Sequence, residues 1–317
     1  MENKIAFSVI IPLYNKEKDI LNTITSLLKQ TYTNFEVIVV NDGSTDASET
    51  IVKSIKDPRI ILFSKQNEGV AKTRNYAVKK VNTEHIVFLD ADDFWHPNHL
   101  DNLYNLILSF PNHLWYATAY EKKVTHKLII PMNSPVLEKP KNWMGSISNY
   151  FELSLADPLA WTSAVCFKKD FFTQLNGFNA AITMGAGEDT DLWLRAALEA
   201  PLAFSCTITA RHNLDSSNRI SHAPTLLRKY MNLDSYEPLI HQYPYLKQYL
   251  DINRFFIGLS HKLAGDKISF KNYIQKIDAN NLSKKQKIIM KLPRPILLIL
   301  LKIKGFMTRV GIQSTTF

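Results

Sequence analysis

The sequence predicts an α/β protein whose mostly parallel central sheet is covered by helices. Short apolar segments alternate with helical segments over residues 7–89, and this alternation is typical of parallel sheets. The predicted strands are continuous apolar runs, as expected of strands that are buried on both faces. Polar clusters follow three of these strands, at residues 12–17, 41–46 and 90–93. Because ligands bind at the carboxyl ends of parallel strands, we expect these clusters to line one crevice.

Local patterns place the elements of the first half of the sheet. The opening strand is predicted at residues 7–12, where Pro12 lacks the N–H that would continue the ladder. Asp46 and Glu49 have the spacing of a helix-capping pair, which predicts the start of a helix there. The other elements predicted in this half are strands at residues 35–40, 59–63 and 86–89 and helices around residues 20–28 and 69–81.

The pattern after residue 95 is less regular. A glycine-containing loop at residues 184–187 leads into an acidic helix start at Glu188. From residue 224 onward the pattern is helical, and Pro293 and Pro295 are expected to break its last stretch into two pieces. The remaining predictions are a helix at residues 97–108 and strands at residues 113–120, 127–130, 161–167 and 202–208.

The composition is that of a globular protein. Of the 317 residues, 45% are hydrophobic and 21% are charged, which excludes a largely disordered chain. The two cysteines lack metal-ligand spacing, so we expect a reducing compartment and no disulfide framework. No secretory signal is visible, and no apolar run reaches the ~20 residues of a membrane-spanning helix. We therefore expect a cytoplasmic protein.

The net charge of +9 is concentrated near the C-terminus. From residue 252 onward, 13 basic residues face two acidic ones. Residues 284–309 mix Ile, Leu and Met with Lys and Arg, which suits an interfacial helix on an anionic membrane. Such a role would make the protein peripheral at the inner face of the cell membrane. The alternative is a helical cap whose apolar face packs on the rest of the protein and leaves the lysines in water.

Three carboxylates at the end of a predicted strand are the main chemical signal. Asp90, Asp92 and Asp93 follow the apolar run at residues 86–89. In an extended chain Asp90 and Asp92 point to the same side, where they repel each other unless a cation lies between them. Oxygen ligands at a crevice suit Mg²⁺ or Mn²⁺ bound together with substrate phosphates. The alternative is a solvated turn whose aspartates cap a helix.

Five segments in order resemble the family 2 glycosyltransferases. They are residues 8–15 (SVIIPLYN), 40–46 (VNDGSTD), 67–75 (NEGVAKTRN), 89–93 (LDADD) and 187–195 (GEDTDLWLR). The resemblance implies a GT-A fold, which is Rossmann-like, with a nucleotide-sugar donor, a divalent metal and inversion at the anomeric carbon. It further implies a catalytic domain at residues 1–220, with a nucleotide-sugar half at about 1–95 and an acceptor half at about 96–220. Residues 221–317 would form a helical, basic extension.

The resemblance also implies roles for individual residues. Asp92 is expected to bind the metal, and Asp90 to lie closer to the ribose. Asp42 matches the position that accepts a hydrogen bond from the nucleobase, although an Asp before Gly43 also suits a turn. Arg74 is favoured over Lys72 as a donor contact. The full set of expected donor-binding residues is Pro12, Tyr14, Glu17, Asp42, Arg74, Asp90 and Ala91.

Asp189 is the expected catalytic base. An acceptor hydroxyl is a weak nucleophile, so a positioned carboxylate that takes its proton would assist the attack. Asp189 should lie near a helix N-terminus, where the helix dipole favours the ionised form. Without the resemblance, simple helix capping would be the preferred interpretation of this residue. Asp191 and Arg195 have i,i+4 spacing and are expected to form a structural ion pair, and Trp193 to pack in the core.

The leading hypothesis is an inverting, metal-dependent glycosyltransferase that moves a sugar from a nucleotide-sugar, by default a UDP-sugar. Its acceptor would be a hydroxyl of a glycan or of a lipid-linked intermediate in surface polysaccharide synthesis. A dinucleotide-dependent oxidoreductase predicts a Gly-x-Gly-x-x-Gly turn, and the sequence lacks it at residues 12–17. The remaining alternative is a non-catalytic nucleotide- or glycan-binding protein that docks to membrane through its basic tail. No nucleic-acid partner is expected.

Overall fold

The computed structural model describes residues 5–220 and 223–309 of the chain. The strands are β1 (Phe7–Leu13), β2 (Phe35–Asp42), β3 (Ile60–Lys65), β4 (His85–Phe88), β5 (Phe94–Trp95), β6 (Trp115–Thr125), β7 (Leu128–Pro131), β8 (Met144–Ile147), β9 (Val165–Lys168) and β10 (Leu202–Asn213). The α-helices are α1 (Ile20–Leu28), α2 (Ser48–Ser54), α3 (Val70–Val78), α4 (His99–Ser109), α5 (Tyr150–Leu153), α6 (Lys169–Gln174), α7 (Glu188–Glu199), α8 (Leu246–Ala264), α9 (Lys267–Ile274), α10 (Lys284–Lys291) and α11 (Arg294–Arg309). Short 3-10 helices are found at Pro135–Glu138, Thr162–Ala164, Thr225–Leu227, Leu233–Leu239 and Ala279–Asn281.

The described strands form one ten-stranded sheet, which confirms the predicted α/β class. Its path is β3-β2-β1-β4-β9-β6-β10-β5, with β7 paired to β6 and β8 paired to β10. The first four strands of this path are parallel to one another. Strand β9 then pairs antiparallel with both β4 and β6, while β6 and β10 are parallel. The parallel half therefore brings the carboxyl ends of β1, β2 and β4 to the same edge.

Several predicted boundaries differ from the observed ones for local reasons. Strand β1 continues one residue past Pro12, and the strand predicted at residues 161–167 begins as a 3-10 helix before β9. The predicted capping pair does not form. Asp46 Oδ1 instead accepts a hydrogen bond from the N–H of Ser48, at 2.9 Å, and Glu49 accepts from Asn41 and Ser64. Helix α2 thus begins two residues after Asp46.

The main core lies between the sheet and its helices. It contains the tryptophans Trp95, Trp115 and Trp193, each almost fully buried, so the expected packing role of Trp193 is confirmed. The i,i+4 ion pair between Asp191 and Arg195 also forms, with 2.6 Å between the carboxylate and guanidinium. This pair fixes α7, since Arg195 also donates to the carbonyl of Gly177.

The C-terminal helices have a second apolar cluster of their own. Its buried members are Phe255, Leu259, Leu282, Ile289 and Leu297. Helix α8 contributes to both clusters, because its first turn belongs to the main core. Helices α10 and α11 are separate, as the two prolines predicted. Across residues 5–220 and 223–309, no helix is both long enough and apolar enough to cross a membrane.

Candidate active site

A cavity of about 770 Å³ opens where β1, β2 and β4 end. This volume is within the usual range for small-molecule sites. Eight of the nine predicted site residues line it, namely Pro12, Tyr14, Asp42, Arg74, Asp90, Ala91, Asp92 and Asp189. Groups up to 177 positions apart in sequence therefore share one pocket, as the strand-end argument requires.

Asp42, the last residue of β2, is buried at one end of the cavity and held by three donors. Lys65 Nζ and the backbone N–H of Glu68 donate to its Oδ1, at 2.5 and 3.0 Å. The N–H of Gly69 donates to Oδ2, at 2.9 Å. An ionised carboxylate offers about four acceptor positions, so one position remains for a ligand N–H. The turn role and a nucleobase contact are thus compatible.

Arg74 connects two of the predicted acidic residues. It lies on α3 with its side chain almost fully buried, and its guanidinium packs over the ring of Phe178, 4.9 Å from the centroid. It donates to Asp90 Oδ1 at 2.6 Å and to Asp189 Oδ1 at 3.1 Å. Burial alone would lower the pKa of Arg74, but these two carboxylates outweigh it and raise that pKa. Lys72, by contrast, is exposed and pairs with Glu68.

The chain at residues 90–93 is not extended, so the premise on which Asp90 and Asp92 were expected to point to the same side is wrong. These residues follow β4 in a turn, in which the N–H of Asp93 donates to the carbonyl of Asp90 at 3.0 Å. Asp90 is paired with Arg74, whereas Asp92 Oδ2 receives Lys16 Nζ at 2.6 Å. Asp90 and Asp92 therefore each have a positively charged partner of their own.

Asp93 is buried behind the other two. Ser163 Oγ donates to its Oδ2 at 2.6 Å, and the N–H of Asn213 donates to its Oδ1 at 3.0 Å. Burial, reinforced by the charge of Asp92, raises the pKa of Asp93 well above its usual range. Asp93 therefore acts as a brace between the β4 turn and β10.

Asp189 and Glu188 occupy the first turn of α7, as predicted. Gly187 precedes them with φ of +104°, a conformation that glycine adopts without strain. Asp189 Oδ2 accepts a hydrogen bond from Thr162 Oγ1 at 2.6 Å, and 35% of its side chain remains exposed. Burial raises the pKa of Asp189 although Arg74 opposes the shift, so the expectation that the helix N-terminus favours the ionised form is wrong. A raised pKa makes its carboxylate a better proton acceptor once it is ionised.

Glu188 is a second carboxyl group in the same pocket. Its side chain is buried, and its Oε2 has no hydrogen-bond partner among the described residues. Burial and the neighbouring Asp189 together raise the pKa of Glu188 to about 7. No separate role for Glu188 was predicted from the sequence, although it directly precedes Asp189.

Glu17 does not reach the cavity. Its Oε2 accepts a hydrogen bond from the N–H of Ala47 at 3.0 Å, and its own N–H donates to Asp46. These contacts join the loop after β1 to the start of α2. The structure thus gives Glu17 a bracing position beside the site, and its predicted donor contact has no support in this geometry.

Three contributors were missed by sequence reasoning. Lys16 lies in the polar cluster after β1, and Lys65 ends β3 in register with Asp42, so strand-end position could have identified both. Thr162 carried no sequence signal, because its 3-10 turn interrupts what reads as a strand.

His212 and Arg219 line the cavity as well, and His212 stacks on Trp161 with 4.7 Å between centroids. Burial, aided by Arg219, lowers the pKa of His212 to about 4.

The carboxylate oxygens of Asp92 suit a hard divalent cation that is also bound by oxygen atoms of a ligand. Among residues 5–220 and 223–309, no three His, Cys, Asp or Glu side chains are grouped to hold a metal ion by themselves. Asp92 Oδ2 is occupied by Lys16 and Ser216, but no described residue donates a hydrogen bond to Oδ1. Mg²⁺ commonly uses one or two carboxylates together with phosphate oxygens and water, so one open carboxylate oxygen is sufficient.

The fold and the cavity together define an α/β protein that gathers carboxylates and a guanidinium at its strand ends. Residues 8–167, half of the chain, match the model of the family described as Glycosyl transferase family 2. The chain belongs to this family of glycosyltransferases, and the predicted GT-A fold is confirmed.

Relatives and solved structures agree with this assignment. An uncharacterized glycosyltransferase of Rickettsia bellii is 36% identical over 194 residues, which are 59% of this chain and 26% of that protein. The Escherichia coli protein named UDP-Glc:alpha-D-GlcNAc-diphosphoundecaprenol beta-1,3-glucosyltransferase WfgD is 31% identical over 53% of this chain and 68% of its own length. S. aureus TarS 1-349, solved with UDP-GlcNAc, shares the fold at 16% identity, with a TM-score of 0.60 over 97% of this chain and 93% of that one. The chain spans only about a quarter to a third of the Rickettsia relatives.

Proposed function

We propose that the protein is an inverting glycosyltransferase that uses a UDP-sugar and a divalent metal. It would transfer a hexosyl or N-acetylhexosaminyl group to a hydroxyl of a glycan or lipid-linked acceptor in surface polysaccharide synthesis. The observation that carries the proposal is the shared cavity, which brings Asp42, Asp92 and Asp189 together.

The nucleotide is proposed to bind at the Asp42 end of the cavity. Asp42 retains one acceptor position, which suits the ring N–H of uracil, and Tyr14 also lines the cavity with an exposed ring. The names of WfgD and of the TarS complex both contain a uridine diphosphate sugar, which supports UDP over other nucleotides. The identity of the sugar stays open within this proposal.

Asp189 is proposed to take the proton of the acceptor hydroxyl. The hydroxyl oxygen then forms a bond to the anomeric carbon as the bond from that carbon to the diphosphate oxygen breaks. Attack opposite the leaving group inverts the configuration, and the electron pair departs with the nucleoside diphosphate. Arg74 and Thr162 hold the carboxylate of Asp189 in position. The side chain of Asp189 therefore need not reorient before it takes the proton.

Asp92 is proposed to hold Mg²⁺ or Mn²⁺ through its open oxygen. The ion, when bound, would supply Lewis-acid stabilisation of the negative charge on the departing diphosphate. Lys16 contributes positive charge at the same carboxylate, and its Nζ also donates to the carbonyl of Ser217 at 2.7 Å. It therefore fixes Asp92 and adds to the field that favours an anionic leaving group.

A lipid-linked acceptor is the preferred class within this proposal. WfgD and WfaP of Escherichia coli carry names that specify a diphosphoundecaprenol-linked acceptor, and they are 31% and 37% identical to this chain over the aligned residues. Such an acceptor would require the enzyme to work in the cytoplasm at the inner face of the cell membrane. The alternative is a non-catalytic nucleotide- or glycan-binding protein on the same scaffold.

A donor screen tests the proposal. The full chain is incubated with UDP-glucose, UDP-N-acetylglucosamine or GDP-mannose, an undecaprenyl-diphosphate-linked acceptor, and Mn²⁺, Mg²⁺ or EDTA. We expect nucleotide release with a UDP-sugar, loss of release in EDTA, and a product of inverted anomeric configuration by NMR. Asp92→Ala should lose the metal-dependent part of donor binding in calorimetry, whereas the exposed-surface control Asp170→Ala should not. Donor binding without turnover for every combination would favour the binding-protein alternative.

A further inference from the structure

One face of helix α11 is apolar and exposed. Its members, which we call the C-terminal stripe, are Ile296, Ile299, Ile303 and Phe306. Their exposed fractions are 43%, 57%, 50% and 68%. The intervals of three, four and three residues place all four on one side of the helix. A continuous row of large apolar side chains in water is unfavourable, and such rows commonly mark interaction surfaces.

The other side of α11 already has its packing partner. Leu297 is fully buried in the cluster that also contains Phe255 and Leu259 of α8. At the start of the helix, Arg294 Nε donates to the carbonyl of Leu263 at 2.9 Å, at the end of α8. The helix is therefore held on the protein by one face, and the C-terminal stripe points away from the contacts that hold it.

The segment that carries the C-terminal stripe has charged residues of a single sign. Residues 279–309 contain no acidic residue. They contain eight basic residues, which are Lys284, Lys285, Lys287, Lys291, Arg294, Lys302, Lys304 and Arg309. Among these, Lys284, Lys285, Lys291, Arg294 and Lys302 are exposed. Lys302 lies on α11 itself, between Ile299 and Ile303 in sequence. An apolar row with an exposed lysine on the same helix, in a segment rich in basic residues, matches a surface that is apolar inside and negatively charged outside.

We propose that the C-terminal stripe docks on the surface of an anionic lipid bilayer, with α11 in the interface plane. The apolar side chains would enter the acyl boundary while the flanking lysines contact lipid phosphates. Charge complementarity favours this occupant over a second copy of the chain. A two-fold contact through the same face would place these lysines opposite one another without any acidic partner from residues 279–309.

This inference does not depend on the proposed transfer reaction, so it is tested by binding alone. The full chain is sedimented with vesicles of phosphatidylcholine, or of phosphatidylcholine with about a quarter of phosphatidylglycerol. We expect binding to the anionic vesicles, roughly tenfold weaker partitioning onto the neutral ones, and weakening as salt is added.

Matched variants separate the apolar contribution from the charge. Ile299→Ser should weaken partitioning onto anionic vesicles roughly tenfold, because it removes apolar area from the contact. Leu21→Ser, at a residue of α1 that is 52% exposed, should leave partitioning unchanged. Lys302→Gln should weaken it about fivefold, whereas Lys79→Gln, at an exposed lysine after α3, should not. Circular dichroism and gel filtration confirm that each variant is folded.

Two outcomes would overturn the proposal. One is equal partitioning of the wild-type chain and Ile299→Ser onto anionic vesicles. The other is a wild-type dimer in analytical ultracentrifugation that Ile299→Ser converts to monomer, because a second copy would then cover the C-terminal stripe.

Discussion

At the scale of single residues, the acidic groups of the site differ because their neighbours differ. Asp42 is held by a lysine and two backbone N–H groups, while Asp92 is paired with Lys16. Asp93 is buried among hydrogen-bond donors, and burial raises its pKa well above the usual range. Asp189 is held by a guanidinium and a hydroxyl yet remains partly open to the cavity. Among these residues, Asp189 therefore has the position best suited to exchange a proton with a ligand.

We expect Asp189→Asn to lower sugar transfer by roughly a thousandfold, because a positioned general base contributes about two to four orders of magnitude. The amide keeps the shape of the side chain but cannot accept the acceptor's proton. Donor affinity, measured by calorimetry, should change little. Asp170→Asn, at an exposed position on α6, serves as the control. Transfer at the wild-type rate by Asp189→Asn would contradict the assignment of the base.

Glu188 provides a test of burial through the pH dependence of stability. Its folded-state pKa is raised to about 7, so the ionised form is disfavoured in the folded protein. Its contribution to stability is complete below the unfolded-state pKa and is lost as the pH rises through about 7. We therefore compare the free energies of unfolding of Glu188→Gln and the wild type. The variant's advantage over the wild type should be larger at pH 8 than at pH 5 by on the order of 2 kcal/mol.

Urea unfolding at the two pH values measures this difference. Glu199→Gln, at the exposed opposite end of the same helix, should show no comparable gain. A Glu188→Gln variant that is equally stabilised at both pH values would refute the pH argument.

At the scale of elements, the segment after β10 closes one side of the cavity through a few polar contacts. Lys16, from the loop after β1, donates to the carbonyls of Ser217 and Asn218 as well as to Asp92. Ser216 Oγ donates to the same carboxylate at 2.7 Å. Lys16 therefore helps to hold this segment, together with Ser217 Oγ, which donates to Asp19, and Asn218 Nδ2, which donates to the carbonyl of Asn15.

Lys16→Met should loosen the segment at residues 214–219 while leaving the strands intact. The substitution keeps the length of the side chain but removes the ammonium that joins the two loops. Hydrogen–deuterium exchange should show faster exchange in peptides that cover these residues, with unchanged protection in β1 and β4. Lys18→Met, at an exposed neighbour, is the matched control. Unchanged exchange after Lys16→Met would show that other contacts hold the segment.

At the scale of the whole molecule, a buried ionic network joins the C-terminal helices to the preceding 3-10 helix. Arg254 of α8 has a side chain that is 1% exposed. It donates to Asp234 at 2.9 Å, to Asp251 at 3.2 Å and to Glu237. Asp251 in turn accepts hydrogen bonds from Lys247 and from the N–H of Asp278. The network therefore spans residues 234–278.

Arg254→Met should lower the free energy of unfolding by about 2 kcal/mol, since the fully buried Asp251 loses a charged hydrogen-bond donor and keeps, among the described residues, only Lys247 as its cationic partner. Urea denaturation followed by circular dichroism measures the loss. Arg59→Met removes a more exposed ion pair with Asp57 and should cost under about 1 kcal/mol. Similar losses in the two variants would show that burial of the network contributes little.

Features that depend on residues close together in sequence could be predicted, whereas features that depend on contacts between remote residues could not. The parallel strands, the break between α10 and α11 and the Asp191–Arg195 pair were predicted, because each depends on neighbouring residues. The capping pair at Asp46 failed, since Glu49 found partners on other elements. Thr162 also escaped prediction, as its position depends on a turn that the apolar pattern concealed.

The sequence by itself determined the α/β class, the family and eight of the residues that line the cavity. It could do so because buried parallel strands impose an apolar pattern and their polar clusters meet at one edge. The tertiary structure decided which charges pair across that edge: Arg74 with Asp90 and Asp189, and Lys16 with Asp92. It also decided which face of α11 is exposed. These outcomes depend on distances between remote segments, which no local pattern encodes.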